Sequence, residues 1–160
     1  MGLIVRSSAI HAAGCYTTTP ISKGTRIVEY TGPRITKEVA DKRYENSPTT
    51  YLFGVGDGSY VIDGHGIAMF LNHCCDPNCE TDEVNGRVWI KALRDISAGE
   101  ELLYDYNLYD GSDDPATCNC GAQNCRKSMY SPEEQRKRAK APKRAKNKSM
   151  RKRTTNRKNS

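Results

Sequence analysis

The sequence contains no run of 18 or more apolar residues, so no segment of it is suited to crossing a bilayer as a helix. Aromatic residues are also scarce and make up 8% of the chain. Its histidines are His11, His65 and His73, and none of them forms a pair at the spacing of a catalytic zinc site. These absences argue against a membrane partner and against a metal hydrolase.

The last 30 residues, 131–160, contain no glycine and no aromatic side chain. They hold thirteen Lys or Arg against two Glu, whereas the whole chain has a formal net charge of +6, so the preceding residues are mildly acidic. Such a segment buries too little apolar surface to offset the entropy of ordering, and we predict that 131–160 is a disordered basic tail. Its charge favours non-specific binding to nucleic acid through phosphate contacts. A role in solubility alone is the alternative.

The preceding residues contain short apolar runs separated by Gly, Pro and Asn, which predicts a mostly β fold. The turns at 56–58 and 85–86 contain residues that tolerate positive φ, and each predicts a hairpin between its flanking runs. A helix capped by Thr36 is expected over Lys37–Glu45, and a short second helix just before Asn72. The predicted strands are Leu3–Arg6, Arg26–Tyr30, Tyr51–Val55, Ser59–Asp63, Arg87–Leu93 and Glu101–Tyr106.

The chain has seven cysteines, an odd number, and no adequate apolar leader before Cys15, so we expect an intracellular protein with free or metal-bound thiols. Three of them fall within the eight residues 118–125, a segment too short for a core but long enough to wrap a metal. A structural zinc site has four ligands, so a fourth must come from elsewhere. The candidates for that ligand are Cys75, Cys74, Cys79 and Cys15. Free surface thiols and a disulfide are the alternatives.

Two further segments carry an unusual density of reactive side chains. Residues 70–79 read Phe-Leu-Asn-His-Cys-Cys-Asp-Pro-Asn-Cys, and residues 99–106 read Gly-Glu-Glu-Leu-Leu-Tyr-Asp-Tyr. Followed by the cysteine cluster, they resemble the SET-domain family of protein lysine methyltransferases with its zinc-binding post-SET segment. The resemblance runs from Ile4 to about Cys125.

The resemblance implies a mostly β (α+β) fold made of several small curled sheets with a pseudoknot-like C-terminal segment. It divides the chain into a SET domain, 1–107, and a post-SET zinc-binding segment, 108–130, followed by the basic tail. It further implies a short form of the family that lacks the zinc region found before the domain in other members.

The resemblance also implies roles for individual residues. Asn72 and His73 match the pair that holds S-adenosylmethionine in the family, and Cys75 matches the cysteine that completes the zinc site. The implied zinc ligands are Cys75, Cys118, Cys120 and Cys125, which leaves Cys74 and Cys79 as free thiols. The implied cofactor-binding residues are His11, Ala12, Ala13, Gly14, Tyr51, Asn72 and His73.

Three tyrosines match the catalytic positions of the family. Tyr106 matches the catalytic tyrosine, Tyr104 the position that sets how many methyl groups are added, and Tyr51 an aromatic of the lysine channel. Because residue 104 is Tyr and not Phe, addition of one or two methyl groups is expected.

The sequence departs from the family pattern at two positions. Ala12 stands where Gly is usual in the cofactor loop, and a positive φ at that residue would cost about 1 kcal/mol. Pro33 stands where Glu is common.

The predicted function is an S-adenosylmethionine-dependent protein-lysine N-methyltransferase, with Zn²⁺ as a structural metal. Its predicted partners are histones or other basic DNA-associated proteins, and it would act on nuclear chromatin in a eukaryotic cell or on the nucleoid in a bacterium. Two alternatives remain open. One is a non-catalytic, zinc-stabilised module that binds nucleic acid or chromatin, and the other is an enzyme that methylates its own tail.

Overall fold

The computed structural model describes residues 2–47, 50–109 and 115–140, and these residues form mainly short strands. The strands are β1 (Leu3–Ser7), β2 (Ala13–Thr17), β3 (Arg26–Glu29), β4 (Arg34–Thr36), β5 (Leu52–Val55), β6 (Tyr60–Asp63), β7 (Asn72–His73), β8 (Cys79–Val84), β9 (Arg87–Ala92) and β10 (Leu103–Tyr104). The helical elements are α1 (Lys37–Tyr44), a 3-10 helix (Ile67–Phe70) and α2 (Pro132–Lys140).

Three small sheets account for these strands. The antiparallel pair β1-β2 forms the first, the order β3-β9-β8-β10-β7 the second, and β4-β6-β5 the third. Strand β10 runs parallel to both of its neighbours, β7 and β8, and pairs Tyr104 with His73 and with Cys79. Strand β10, which comes late in the chain, therefore lies between the earlier strands β7 and β8. This brings segments 70–79 and 99–106 together. The predicted fold of small sheets is confirmed.

Both predicted hairpins are present. Gly56 and Gly58, with φ of 57° and 84°, connect β5 to β6, and Asn85 and Gly86, with φ of 50° and 71°, connect β8 to β9. Such left-handed angles suit glycine and asparagine, which is why these turns could be predicted from local sequence.

Helix α1 begins where its cap predicts, since the Thr36 hydroxyl accepts a hydrogen bond from the Val39 N–H at 3.3 Å. Its buried residue is Ala40, whereas Val39, which was expected on the same face, is 45% exposed. The helix is fastened to β6 by Asp63, which accepts hydrogen bonds from Tyr44 and Arg43, both at 2.5 Å.

The core lies beneath the five-stranded sheet. Strand β9 alternates in burial and directs Val88, Ile90 and Ala92 inward, as a strand with one solvated face should. Leu71 and Leu102 are at most 1% exposed and pack in the same core, next to the fully buried Cys15 and Cys79.

The strand predictions were wrong in part. The strand predicted over Glu101–Tyr106 is shortened to β10, and Glu101 instead forms an isolated antiparallel bridge with Tyr16. Strands β2, β4, β7 and β8 were not predicted. The sequence of β8, Cys-Glu-Thr-Asp-Glu-Val, is mostly polar. Its cross-strand pairing with β9 outweighs that composition.

The tail is also partly different from its prediction, because Pro132–Lys140 form helix α2. Pro132 suits a first helical position, and the Ser131 hydroxyl accepts from the Glu134 N–H at 3.1 Å. Arg138 bonds Glu134 at 3.0 Å and stacks 3.7 Å from the Tyr130 ring, which docks the helix on the segment before it. The rest of the predicted tail, 141–160, lies outside the described residues. Across the described ranges, no helix has the length and hydropathy of a membrane span.

Candidate active site and metal centre

Asn72, at the start of β7, connects that strand to β2. It is 8% exposed, and its Nδ2 donates to the backbone oxygen of Ala13 and to Oε1 of Glu101, both at 2.8 Å. These bonds hold the beginning of β2 beside β7. The predicted cofactor residues Ala13, Gly14 and Asn72 are thus brought together, whereas His11 is exposed on the bend before β2.

The positive φ considered for Ala12 is not observed. Among the described residues other than glycine, positive φ occurs at Asn85, Asn107, Ala116 and Lys127. Ala12 therefore carries no left-handed strain, and the expected cost at this position is removed.

Glu101 joins three elements at this site and was given no role by the sequence analysis. Its Oε2 accepts hydrogen bonds from the hydroxyls of Ser8 and Tyr16, both at 3.0 Å, while Oε1 accepts from Asn72. A Cβ at Gly14 would lie 2.1 Å from Glu101 Oε1, so a larger residue there would force the Glu101 carboxylate to move. Nothing local in the sequence marks this role, because its hydroxyl donors lie 93 and 85 residues away.

Replacing Glu101 by Ala is expected to lower the free energy of unfolding by about 2 kcal/mol, because three donors lose a charged acceptor in a partly buried site. Replacing it by Gln should cost less, since an amide still offers one acceptor to Asn72. Urea denaturation of the two variants beside the wild type measures the difference. Equal stability of all three proteins would contradict this role.

A group of aromatic rings surrounds the predicted catalytic tyrosines. The rings of Tyr104 and Tyr106 have centroids 4.8 Å apart, and the Tyr106 hydroxyl donates to the Leu71 carbonyl at 2.8 Å. Tyr51, which is 36% exposed, lies at the edge of the group. The rings of Phe70, Phe53 and Tyr30 also belong to this group and were not predicted. The ring centroids are 6.2 Å apart for Tyr51 and Phe70, 6.4 Å for Phe53 and Tyr104, and 5.3 Å for Tyr30 and Phe53.

Burial sets the protonation of these phenols. It raises the pKa of Tyr104 well above its usual value and also raises the pKa of Tyr106, to which the nearby Tyr51 contributes further. Both hydroxyls are therefore protonated at neutral pH. Tyr106 is suited to donating a hydrogen bond and not to acting as a base.

His73 lies between the tyrosines and the cysteines. Burial lowers the pKa of His73 and outweighs the opposing influence of Asp105, so the ring is neutral at pH 7. Its Nδ1 accepts from the Tyr106 N–H at 3.1 Å, which leaves the ring proton on Nε2. Nε2 is 3.4 Å from the Cys75 sulfur and is therefore the donor in that contact.

Four sulfur atoms form a cluster at the other side of His73. The sulfurs of Cys75, Cys118, Cys120 and Cys125 all lie within 4.8 Å of one another. A tetrahedral zinc with bonds near 2.3 Å places its sulfurs about 3.8 Å apart. The observed distances are 3.8 Å from Cys75 to Cys118 and 3.7 Å from Cys118 to Cys125, so the donor set fits zinc.

The thiols of the cluster differ in their pKa, and burial raises the pKa of Cys75. Burial raises the pKa of Cys118, whereas backbone donation from Cys75 and Ala122, with the neighbouring thiols, outweighs burial and lowers the pKa of Cys120 to about 6. Of the sulfurs considered for the fourth ligand, that of Cys75 lies in this cluster. Cys15 and Cys79 are fully buried in the core, and all seven cysteines are free of disulfides.

The inserted strand, the small sheets and the attached cysteine cluster define the class of this domain. The chain belongs to the SET-domain family, whose model, the SET domain, matches residues 12–107.

Named relatives include H3 lysine-4-specific histone-lysine N-methyltransferases of fungi. The chain is 49% identical over 133 residues to the one from Eremothecium gossypii and 47% identical over 133 residues to the one from Saccharomyces cerevisiae. Each alignment covers 74% of this chain, but only 14% and 12% of the two relatives. The chain therefore corresponds to a small part of these longer proteins.

Proposed function

We propose that this chain is a protein-lysine N-methyltransferase that uses S-adenosylmethionine and acts on histone H3. The observation that carries the proposal is that Asn72 on β7 lies beside β10, which carries Tyr104 and is followed by Tyr106, within a SET domain. The relatives' names, which specify lysine 4 of histone H3, support the choice of substrate. They also support nuclear chromatin as the place of action.

The residues that would hold the cofactor are Ala13, Gly14, Asn72 and His73, with His11 and Ala12 at the entrance. Gly14 lets Glu101 pack against the backbone of this segment, because Glu101 occupies the space that a Cβ would need. When bound, S-adenosylmethionine supplies the methyl group, and its sulfur is the leaving group.

The aromatic group prepares the lysine for this reaction. An amine is nucleophilic only when neutral, and a lysine in water has a pKa near 10.4. The apolar surroundings of Tyr51, Tyr104 and Tyr106 disfavour the charged ammonium and so lower that pKa. The Tyr106 hydroxyl, held by the Leu71 carbonyl, supports alignment of the reacting groups.

A cavity of about 580 Å³, lined by Leu52 and Gly54 of β5, is suited to the substrate polypeptide. One wall is β5, which lies at the edge of its sheet, and the other is formed by Leu108, Met129 and Tyr130. An edge strand offers unpaired backbone groups to an extended peptide. We place the flanking residues of the substrate lysine in this cavity.

Zinc is assigned to Cys75, Cys118, Cys120 and Cys125 as a structural metal. Four thiolates fill its coordination sphere, so no position is left for water or substrate. The basic residues of α2 and of 141–160 are assigned to non-specific contacts with nucleic acid near the substrate.

The test is methyl transfer from labelled S-adenosylmethionine by the zinc-loaded full chain. Histone H3 peptides with lysine 4 intact or replaced by arginine are the matched substrates. Label on the intact peptide alone supports the proposal. Label confined to residues 131–160 would instead establish self-methylation, and a protein that neither binds the cofactor nor transfers methyl groups would be a binding module.

Replacing Tyr104 by Phe is expected to raise the number of methyl groups added. The Tyr104 hydroxyl occupies space and can hold a water molecule where additional methyl groups must fit, whereas Phe removes both. We expect the wild type to stop at one or two methyl groups and the variant to proceed further. Intact-mass analysis of the peptide measures this, and an unchanged product distribution would contradict the role of residue 104.

A further inference from the structure

Arg126 lies between the cysteine cluster and the strand segment that carries Tyr106. Its backbone N–H donates to the Cys75 sulfur at 3.4 Å, and its Nη2 is 2.7 Å from Oδ1 of Asp105. The Arg126 and Asp105 side chains are 22% and 19% exposed, so this ion pair is only partly screened by water. Arg126 therefore contacts both the cysteine cluster and Asp105, which lies 21 residues earlier in the sequence.

The charge of the metal centre gives Arg126 a partner beyond Asp105. Four thiolates around Zn²⁺ leave two net negative charges. Two of those sulfurs belong to Cys75 and Cys118, which are 8% and 2% exposed, and buried charge is costly without compensation. The backbone N–H of Arg126 donates to the first of these sulfurs, and Arg126 directly follows Cys125 in the sequence, so its positive charge is carried by a residue bound to the cluster.

The Nε atom of Arg126 is a buried donor with an unusual environment. It is buried, and no group within the described ranges accepts a hydrogen bond from it. Buried donors are normally paired, so leaving one unpaired has a cost. An anionic cluster beside the guanidinium would offset this cost.

Asp105 connects Arg126 to the segment that carries Tyr106. Asp105 lies between Tyr104 and Tyr106 in sequence, and its Oδ1 also accepts from the Asn107 N–H at 3.2 Å. Asn107 has a φ of 46°, so the Asp105 carboxylate stabilises the turn that follows Tyr106. Moving Asp105 would therefore move the backbone on which Tyr106 is held.

We propose that Arg126 is a positioning residue that compensates the charge of the zinc thiolates and, through Asp105, holds Tyr106 in place. The part that concerns Tyr106 rests on the function proposed above, whereas the part that concerns zinc does not. Arg126 thereby makes the geometry of the catalytic segment depend on the occupied metal site.

The first test is the rate at which the zinc-loaded full chain releases its metal to a colorimetric chelator. Arg126→Gln removes the charge, Arg126→Lys retains it, and Arg136→Gln removes an exposed charge of helix α2 as the matched control. We expect roughly 10- to 100-fold faster release for Arg126→Gln, a smaller increase for Arg126→Lys and no change for the control. Equal rates for Arg126→Gln and the control, or for the two Arg126 variants, would overturn charge compensation.

The second test separates positioning from metal retention. Asp105→Asn keeps the guanidinium but weakens its ion pair, so its zinc release should resemble that of the wild type. Hydrogen exchange of residues 104–108, measured with zinc saturated, should be faster in Asp105→Asn and in Arg126→Gln than in Arg136→Gln. Unchanged exchange in both variants would overturn the link to Tyr106, whether or not the wild type transfers methyl groups. Circular dichroism and zinc content before each experiment establish that the variants are folded.

Discussion

Replacing Tyr106 by Phe is expected to reduce methyl transfer by about 100-fold or more while the protein stays folded. The hydroxyl is fixed by the Leu71 carbonyl at 2.8 Å, and its pKa is raised by burial, so it is a protonated donor at a defined position. Losing such a group misaligns the reacting atoms, and errors of this kind lower rates by about this factor. The Phe ring still packs against Tyr104, so the free energy of unfolding should fall by only about 1 kcal/mol.

The measurement is the single-turnover rate with labelled S-adenosylmethionine, beside the affinity for the cofactor. Tyr60→Phe is the matched control, because Tyr60 is 52% exposed and lies outside both the substrate cavity and the aromatic contacts around Tyr106. We expect both variants to bind the cofactor and only Tyr106→Phe to lose the rate. A Tyr106→Phe protein with wild-type turnover would remove this residue from the catalytic machinery.

Features that depend on neighbouring residues could be predicted from the sequence. The hairpin at Asn85 and Gly86 needs only two residues that accept positive φ, and the start of α1 needs only the Thr36 hydroxyl and a free N–H three residues on. The cysteine spacing at 118–125 is also local. Each of these is set by a few consecutive side chains, so the surrounding fold hardly affects it.

Features that depend on distant pairing could not be predicted in the same way. Strand β10 has only two residues, and its place between β7 and β8 follows from contacts made across the whole domain. The buried Asn78 illustrates this, since its amide donates to the Glu101 carbonyl at 2.7 Å and accepts from the Leu103 N–H at 2.8 Å. The roles of Glu101 and Arg126 likewise appear only once these strands are paired.

The helix α2 was missed for a different physical reason. A segment with so few apolar residues has no core of its own, and composition alone predicts disorder. Its first turns are stabilised by the Ser131 cap, by the Glu134–Arg138 ion pair and by stacking of Arg138 on Tyr130. Tyr130 is 3% exposed, so the helix is held by the folded segment before it and not by its own burial.

Replacing Cys118 by Ser is expected to abolish both zinc binding and methyl transfer. Cys118 is 2% exposed and lies in contact with two other sulfurs of the cluster, and a neutral hydroxyl is a poor substitute for a zinc-bound thiolate. For a segment of this size, zinc binding supplies much of the folding free energy. Residues 115–130 should therefore lose their order, while the core around Ile90 and Leu102 stays folded.

The loss of activity follows from the connections that this segment makes. Leu108 exchanges backbone hydrogen bonds with Met129 and Ser131, at 3.0 and 2.9 Å, so opening of the segment removes one wall of the substrate cavity. Zinc content and hydrogen exchange of 115–130 measure the effect directly, and Cys79→Ser is the matched control because Cys79 is a buried cysteine of the core outside the four-sulfur cluster. The control should keep one zinc per chain and slow exchange. A Cys118→Ser protein that keeps its zinc and the slow exchange of 115–130 would show that the four sulfurs are not the ligands. It would also contradict the dependence of the active site on this segment.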